Sequence, residues 1–340
     1  MRICVIGGGG AIGGYLAVAL ARAGNEVTVM ARGATLAAIR ERGLQLIMPE
    51  TGETLHARVN SVEHLADAGA QDLVILAVKA HQVTPVAAEL AAMLAAQPDC
   101  VLIPMQNGIP FWYFQRHGGP FEGRAIETVD PDGLVMKRIN PQQVIGCVVY
   151  PATTTEGPGI IRHVEGNRFP IGELDGQTTE RATRIADAFV AAGLKSPILD
   201  NIRAEIWLKL WGNMTFNPIS ALTHGTLEGI CQYPLTRELS RAMMTEAQTI
   251  ANKLGITFRV DIERRIAGAE KVGRHKTSML QDLEAGRALE VDALLGSVIE
   301  LGRITDTPTP CLNTVFALTK LLDHAVQASH GRLALPDQAH

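Results

Sequence analysis

A short apolar strand leads into a glycine turn and a helix in Arg2-Ile3-Cys4-Val5-Ile6-Gly7-Gly8-Gly9-Gly10-Ala11-Ile12-Gly13-Gly14, and the helical pattern continues through residues 15–22. This order predicts the first unit of an α/β, doubly wound, Rossmann-type sheet. Gly8, Gly10 and Gly13 satisfy G-x-G-x-x-G, a spacing that allows a tight turn, backbone approach to a pyrophosphate and close helix packing. Ala11 and Ile12 then lie at the helix N-terminus, where phosphates bind. The stretch predicts a dinucleotide site; the alternative is that the glycines serve close packing alone.

The end of the second predicted strand indicates which dinucleotide binds. Residues 26–30, Glu-Val-Thr-Val-Met, form a strand-like run rich in β-branched residues that is followed by Ala31-Arg32-Gly33. A site for NAD carries Asp or Glu here to accept from the ribose 2′-hydroxyl, whereas the guanidinium of Arg32 matches the geometry of a 2′-phosphate. We therefore predict NADPH/NADP+ as the cofactor. The alternative is an exposed arginine in front of a helix that begins at Ala34.

Two further apolar runs, residues 72–78 and 100–105, continue the alternation of strands and helices. The first is followed by Lys79 and Gln82, and the second by Asn107 and Gly108. Ligands of open α/β sheets bind beyond the carboxyl ends of the strands, so these residues are predicted to lie beside the cofactor. Each of them alone is also an ordinary loop residue, and Asn-Gly is a common turn dipeptide.

Composition excludes several classes of protein. The chain has 340 residues, 46% hydrophobic and 19% charged, and its net charge of −4 argues against binding to nucleic acid or to an anionic membrane. The five cysteines form no C-x-x-C pair and the ten histidines no close pair, so we predict neither a metal site nor a disulfide framework. The N-terminal apolar run is too short and too rich in glycine for a signal peptide, and we expect a cytoplasmic protein.

The character of the chain changes near residue 201. Strand-like patterns recur at residues 144–150, 159–164 and 169–172, whereas helical periodicity dominates after about residue 201. We predict a dinucleotide-binding domain over residues 1–200 and an all-α domain over residues 201–340. Residues 111–145 are rich in proline, glycine and aromatics, and the cluster Phe111-Trp112-Tyr113-Phe114 is interpreted as a packed loop, with a lid or a subunit contact as alternatives.

A polar stripe marks the first predicted helix of the C-terminal domain. Lys209, Asn213 and Asn217 recur every four residues inside an apolar run that starts at Ile206, so they lie along one side of the helix. The remaining sides are apolar and should be buried, where an ammonium and two carboxamides are costly unless something pairs with them. The stripe predicts a pocket for a polar, anionic ligand. The alternative is a lysine that reaches solvent and two asparagines that cap a bent helix end before Pro218.

A second polar group lies between residues 275 and 292. It contains Ser278 and Glu290, both candidates for contacts with a ligand. Thr277 or Ser278 can also cap a helix, and Glu290 stands where the next helix opens. Capping and helix-dipole roles explain these two residues about as well as catalysis does.

Together these segments resemble the ketopantoate reductases (2-dehydropantoate 2-reductases) over essentially the whole chain. The resemblance is carried by Ile6 to Gly14, Ala31-Arg32-Gly33, Lys79-Ala80-His81-Gln82, Asn107-Gly108, residues 201–210 with Asn213 and Asn217-Pro218, and residues 276–282 with Glu290. It implies a Rossmann domain joined to an all-α domain like the C-terminal domain of 6-phosphogluconate dehydrogenase, with the active site in the cleft between them. It also implies NADPH-dependent reduction of ketopantoate to pantoate, a step towards pantothenate and coenzyme A.

The resemblance further implies a role for individual residues. Lys209 matches the catalytic lysine and would act as general acid, and Glu290 matches its partner glutamate. The matches to substrate-binding positions are Asn213, Asn217 and Ser278, and the matches to cofactor contacts are Arg32, Lys79, Gln82 and Asn107.

The chain departs from the family pattern in three places. Its glycine turn has one more residue than the usual form, residues 111–145 form a longer stretch than in compact members, and His275 stands where some members have asparagine. Three alternatives therefore stay open: a reductase of another 2-keto acid, an opine-type dehydrogenase, and an NADP(H)-binding regulatory protein without turnover. The predicted partner is a small-molecule 2-keto acid, with no nucleic acid and no membrane; a homodimer is left open.

Overall fold

The computed structural model describes residues 1–329, so residues 330–340 of the predicted helical domain lie outside the described part. The chain forms two compact units. The first contains Met1–Gln106, Pro110–Ala125 and Asp132–Ile202, and the second contains Asn107–Ile109, Ile126–Pro131 and the chain from Arg203 onward. Two short segments thus belong to the second unit although they precede residue 200.

The first unit is built from strands of three sheets. These strands are β1 (Arg2–Ile6), β2 (Glu26–Met30), β3 (Leu44–Met48), β4 (Glu53–Ala57), β5 (Asn60–Val62), β6 (Leu73–Leu76), β7 (Val101–Pro104), β8 (Ile145–Cys147), β9 (Ala152–Gly157), β10 (Ile160–Glu165) and β11 (Ile171–Glu173). The five-stranded sheet has the order β5-β2-β1-β6-β7 and is parallel throughout. Because both faces of a parallel sheet are covered, its inner strands β1, from Ile3 onward, and β6 are continuous apolar runs, and residues 73–76 of β6 are fully buried.

The chain order of this sheet reverses at β1, which lies between β2 and β6. The carboxyl end of β1 is therefore the switch point at which open α/β sheets bind ligands. A second sheet, β4-β3-β10-β9, packs on the helix that follows β1, and β8 pairs with β11 in a third. The hairpin of β3 and β4 was not predicted from the sequence.

Helices of the first unit are α1 (Ala11–Arg22), α2 (Gly33–Arg42), α3 (Val83–Ala95) and α4 (Glu180–Ala191). After Ile202 the described chain is helical, with α5 (Ile202–Thr223), α6 (Leu227–Gln232), α7 (Pro234–Lys253), α8 (Ile262–Lys271), α9 (Ser278–Glu284), α10 (Ser297–Ile304) and α11 (Pro310–Ala328). A π-helical turn, Asp292–Gly296, precedes α10. The predicted fold class, a parallel α/β part followed by a helical part, is confirmed.

The aromatic cluster of residues 111–114 is a packed loop, as interpreted from the sequence. Trp112, Tyr113 and Phe114 are at most 1% exposed, and Phe111 is 5% exposed. A Cβ added at Gly146 in β8 would lie only 2.8 Å from the ring of Trp112, so the indole packs directly on that strand. Within residues 1–329, no helix combines the length and the apolar character needed to span a membrane.

Candidate active site

The glycine turn joins β1 to α1. Gly7 has φ +80°, a conformation that favours glycine, and its carbonyl accepts a hydrogen bond from the N–H of Gly10 at 2.8 Å. The N–H of Gly14 donates to the carbonyl of Gly10 at 2.8 Å, which closes the first turn of α1. The amides of Ala11, Ile12 and Gly13 come before that bond and belong to the first turn of the helix, where N–H groups lack a partner within the helix.

The three glycines of the motif differ in what a side chain would meet. A Cβ at Gly8 would lie 2.6 Å from Cβ of Val29, and one at Gly13 would lie 2.3 Å from the Gly7 carbonyl oxygen, so both positions serve close packing. At Gly10 the Gly7 carbonyl oxygen, 3.2 Å away, is the sole such neighbour within 4 Å among the described residues. Gly10 thus has open space beside it and helix N–H groups next to it. A pyrophosphate could therefore come close to the backbone at this position.

Arg32, Lys79 and Gln82 lie beyond the carboxyl ends of their strands. Arg32 follows β2 as the N-cap residue of α2, and its side chain is exposed; α2 begins at Gly33, one residue before the predicted start. Lys79 precedes the 3-10 turn Ala80–Gln82, and Oε1 of Gln82 accepts a hydrogen bond from the Lys79 N–H at 3.2 Å. All three therefore lie at the predicted ligand edge of the sheet, and Gln82 also stabilises its own turn. Their contacts with a cofactor stay a prediction.

Gln106 connects two of these strand ends, a role that the sequence did not reveal. Its Nε2 donates to the carbonyl of Leu76 at 2.8 Å and to that of Val78 at 2.9 Å. The side chain thereby holds the loop after β6 against the end of β7. The available signal was its position, a polar residue directly after a buried strand and beside Asn107.

Lys209, Asn107 and Glu290 form a connected group in the second unit. The Nζ atom of Lys209 donates to Oδ1 of Asn107 at 2.6 Å, and Nδ2 of Asn107 lies 3.5 Å from Oε2 of Glu290. All three side chains are half-buried. The carboxamide of Asn107, predicted beside the cofactor, therefore lies between the two residues predicted to be catalytic.

The helix that carries Lys209 is buried on its apolar sides, as the stripe predicted. Trp207, Trp211 and Met214 have no exposed surface, and Nε1 of Trp211 donates to the carbonyl of Met244 at 2.8 Å. α5 continues through Pro218 to Thr223, so the alternative of two asparagines at a bent helix end before that proline is wrong. Asn213 is half-buried on the stripe between Lys209 and Asn217.

Asn217 and Ser278 form the second predicted contact of the site. Nδ2 of Asn217 donates to Oγ of Ser278 at 3.3 Å, and Asn217 is 6% exposed. The neighbouring residue Thr277 is the N-cap of α9, where its side chain accepts from the N–H of Leu280 at 3.3 Å. Thr277 thus caps the helix, and the hydroxyl of Ser278 contacts Asn217 of the polar stripe.

The arrangement can hold an anionic small molecule beside an ammonium group. The carboxamides and the hydroxyl supply neutral donors and acceptors, and Lys209 supplies the positive charge. Within residues 1–329, no group of three or more His, Cys, Asp or Glu is placed to hold a metal ion. The structure brings the predicted site residues of the second unit together in two groups. One group is Lys209, Asn107 and Glu290, and the other is the pair Asn217 and Ser278.

Two sequence models of one protein family match the chain. "Ketopantoate reductase PanE/ApbA" matches residues 3–176, and "Ketopantoate reductase PanE/ApbA C terminal" matches residues 201–323. The chain is 52% identical to a 2-dehydropantoate 2-reductase of Mesorhizobium japonicum, over 95% of this chain and 98% of that protein.

Solved structures give the same result. A protein from Ralstonia solanacearum assigned to the ketopantoate reductases matches with a TM-score of 0.90 at 40% identity, and the match covers 95% of this chain and 98% of that one. D-Mandelate dehydrogenase, in a ternary structure with NADH and anilino(oxo)acetate, matches with a TM-score of 0.81 at 21% identity, over 96% of this chain and 100% of that one. At that identity the likeness shows the fold alone.

Proposed function

We propose that this chain, which belongs to the ketopantoate reductase family, reduces the 2-keto group of ketopantoate to the hydroxyl of pantoate. The two matching family models and the 52% identical relative confirm the family predicted from the sequence, and with it an oxidoreductase that acts on a CH–OH group and uses a nicotinamide cofactor. In the reaction a hydride adds to the keto carbon, the C=O π bond breaks, and the carbonyl oxygen takes up a proton.

The Lys209–Asn107 contact is the observation that carries the mechanism. As hydride reaches the keto carbon, negative charge develops on the oxygen, and a positioned ammonium both stabilises that charge and supplies the proton. The 2.6 Å bond to Asn107 holds the amine of Lys209 in one place, and the half-buried setting strengthens its field relative to water. We assign Lys209 as the general acid.

The surrounding polar groups are assigned to substrate binding. Glu290, through Asn107, orients the lysine and can accept from a substrate hydroxyl. Asn217 and Ser278 are joined to each other and present a carboxamide and a hydroxyl to a carboxylate or hydroxyl of the substrate. Asn213 lies on the same side of α5 and completes the set.

The cofactor is proposed to be NADPH. When bound, it supplies the hydride. The amides of Ala11, Ile12 and Gly13 and the open position at Gly10 would hold the pyrophosphate, and Arg32 would bind the 2′-phosphate. Lys79 and Gln82 lie at the same sheet edge and are assigned to further cofactor contacts.

The assay follows NADPH oxidation by absorbance with a panel of 2-keto acids that includes ketopantoate, benzoylformate, and pyruvate with and without an amino acid. The highest kcat/KM is expected with ketopantoate. A higher value with benzoylformate would assign the chain to another 2-keto acid, and turnover that requires the amino acid would indicate opine-type chemistry. Failure of every acid to oxidise NADPH would favour the regulatory alternative.

We propose the cytoplasm as compartment and a homodimer as assembly. Free thiols at all five cysteines fit a reducing compartment. Leu318 and Leu321 on α11 are 52% and 65% exposed within the described residues, which offers an apolar surface to a second copy. Sedimentation of the full chain tests the assembly, and a monomer at micromolar concentration would contradict it.

A further inference from the structure

We propose that Gly108 is a positioning residue of the reduction: it packs without a side chain on the main chain of Ala293 and so sets the place of Asn107 between Lys209 and Glu290. The inference rests on the proposed function. Gly108 acts through its neighbour Asn107 and needs no contact of its own with the reacting atoms.

The contact between Gly108 and Ala293 leaves no room for a side chain. A Cβ added at Gly108 would lie 2.1 Å from the Ala293 carbonyl oxygen and 2.6 Å from its carbonyl carbon. Gly108 also has φ +85°, which L-residues rarely adopt. The next residue, Ile109, donates its N–H to the same carbonyl oxygen at 3.3 Å. The segment of residues 107–109 therefore lies directly on this one carbonyl.

The Ala293 carbonyl is held firmly in place. Ala293 belongs to the π-helical turn Asp292–Gly296 and is 3% exposed. Its carbonyl oxygen also accepts from Oγ of Ser297 at 2.7 Å, and the N–H of Leu294 donates to the carbonyl of Glu290 at 3.2 Å. Single π-turns often occur at functional sites. Here the turn contains Ala293, whose carbonyl contacts Gly108, and Ala293 follows Glu290 by three residues.

Small movements of residues 107–109 would change the contacts of Asn107 with Lys209 and Glu290. The Asn107–Glu290 distance of 3.5 Å is at the long limit of a hydrogen bond, whereas the Lys209–Asn107 distance is 2.6 Å. A methyl group at residue 108 must push the segment away from Ala293. That movement would displace the carboxamide of Asn107 relative to both Lys209 and Glu290.

The test is a double-mutant cycle on kcat with Gly108→Ala, Asn107→Ala and the double variant. Gly108→Ala is expected to lower kcat by about tenfold to a hundredfold, because misplacement of a catalytic group has effects of this size. It should leave the KM for ketopantoate nearly unchanged, because the proposed substrate contacts Asn213, Asn217 and Ser278 lie on other elements. When Asn107→Ala is already present, the added substitution should change kcat by less than about twofold, since coupled sites are not additive.

Gly255→Ala is the matched control. Gly255 has φ +80°, but a Cβ there would meet no described atom within 4 Å, so it shares the backbone cost without the clash. It should lose some stability and keep kcat. If Gly108→Ala does not fold, Ala293→Gly takes its place in the cycle, since it loosens the same turn.

Two results would overturn the proposal: a kcat of Gly108→Ala equal to that of Gly255→Ala, or effects of Gly108→Ala and Asn107→Ala that multiply independently. If Ala293→Gly is used instead, the proposal is overturned by an unchanged kcat or by effects of Ala293→Gly and Asn107→Ala that multiply independently. The wild-type assay with ketopantoate comes first. A wild-type chain that turns over ketopantoate while the cycle is additive would refute the role of Gly108 and leave the proposed function standing.

Discussion

The ammonium of Lys209 and the carboxamide of Asn107 lie 2.6 Å apart, although 102 positions separate them in the chain. Asn107 is the first residue of the three-residue segment 107–109, which belongs to the second unit and is separated from the end of β7 by two residues. Its second contact, to Glu290 at 3.5 Å, spans 183 positions. The proposed general acid and the two residues that hold it thus come from three distant parts of the sequence.

Replacement of Lys209 by alanine should strongly lower turnover without loss of cofactor binding. The proton donor and its charge disappear, so kcat with ketopantoate should fall by about 10²-fold to 10⁴-fold. Titration of NADPH fluorescence should give a dissociation constant close to that of the wild type. Lys276→Ala is the control, since Lys276 is exposed and pairs with Glu284 at 2.8 Å, and it should keep full activity. Parallel loss of turnover and NADPH affinity in Lys209→Ala would contradict the assignment.

Replacement of Arg32 by alanine should shift the cofactor preference towards NADH. A hydrogen bond between charged groups contributes about 1.5–3 kcal/mol, so the affinity for NADPH should fall by about tenfold or more while that for NADH stays near its original value. The ratio of kcat/KM for the two cofactors measures the effect. Arg40→Ala, an exposed arginine in the last turn of the same helix, should leave the ratio unchanged. An equal ratio in Arg32→Ala and wild type would refute the 2′-phosphate assignment.

Ser278 and Thr277 are adjacent but should respond differently to alanine. Ser278→Ala removes the partner of the buried Asn217 amide and a proposed substrate contact, so the KM for ketopantoate should rise by about tenfold, the equivalent of roughly 1.4 kcal/mol. Thr277→Ala removes the N-cap of α9 and should lower the free energy of unfolding by about 1 kcal/mol with little effect on KM. Steady-state kinetics and urea denaturation separate the two effects. A KM that rises only in Thr277→Ala would reverse the assignment.

The buried thiols should make the protein less stable at alkaline pH. Burial raises the pKa of Cys4 to about 12 and the pKa values of Cys100 and Cys231 to about 11, from an ordinary value of 9.0. Above pH 9 these thiols ionise in the unfolded chain but stay protonated in the folded protein. The folded state then binds more protons, so its stability is complete below pH 9 and falls as the pH rises towards 11, by up to about 1.4 kcal/mol per thiol and pH unit.

Urea denaturation between pH 8 and about pH 10.5 measures this loss. Cys4→Ala should show a shallower decline than the wild type, because one of the ionising thiols is gone. Control measurements at pH 8 give the cost of the substitution itself. Identical slopes in the two proteins would show that Cys4 does not titrate differently on unfolding.

Local pattern was sufficient for the elements around the glycine turn and for the helix of the polar stripe. The glycines of residues 7–14 specify a tight turn because other residues would clash with the neighbouring backbone and side chains. The apolar run around Trp207 and Trp211 predicted a helix that is buried on the sides away from the polar stripe, as the structure has it. Pattern failed at the hairpin of β3 and β4, where residues 44–57 mix apolar and polar side chains without a clear period. It also left open whether the helix ends before Pro218, whereas α5 continues through that proline to Thr223.

Sequence alone indicated the kind of chemistry. A strand, a glycine turn and a helix predicted a dinucleotide site, an arginine without a neighbouring carboxylate predicted a 2′-phosphate contact, and a lysine with two asparagines at helical spacing predicted a pocket for an anionic ligand. These features depend on residues within a few positions of one another, where backbone geometry dictates the neighbours. Tertiary structure decided which polar groups meet. It joined Asn107 to Lys209 and Glu290 and paired Asn217 with Ser278, because contacts over 61 to 183 positions depend on the path of the whole chain and not on local periodicity.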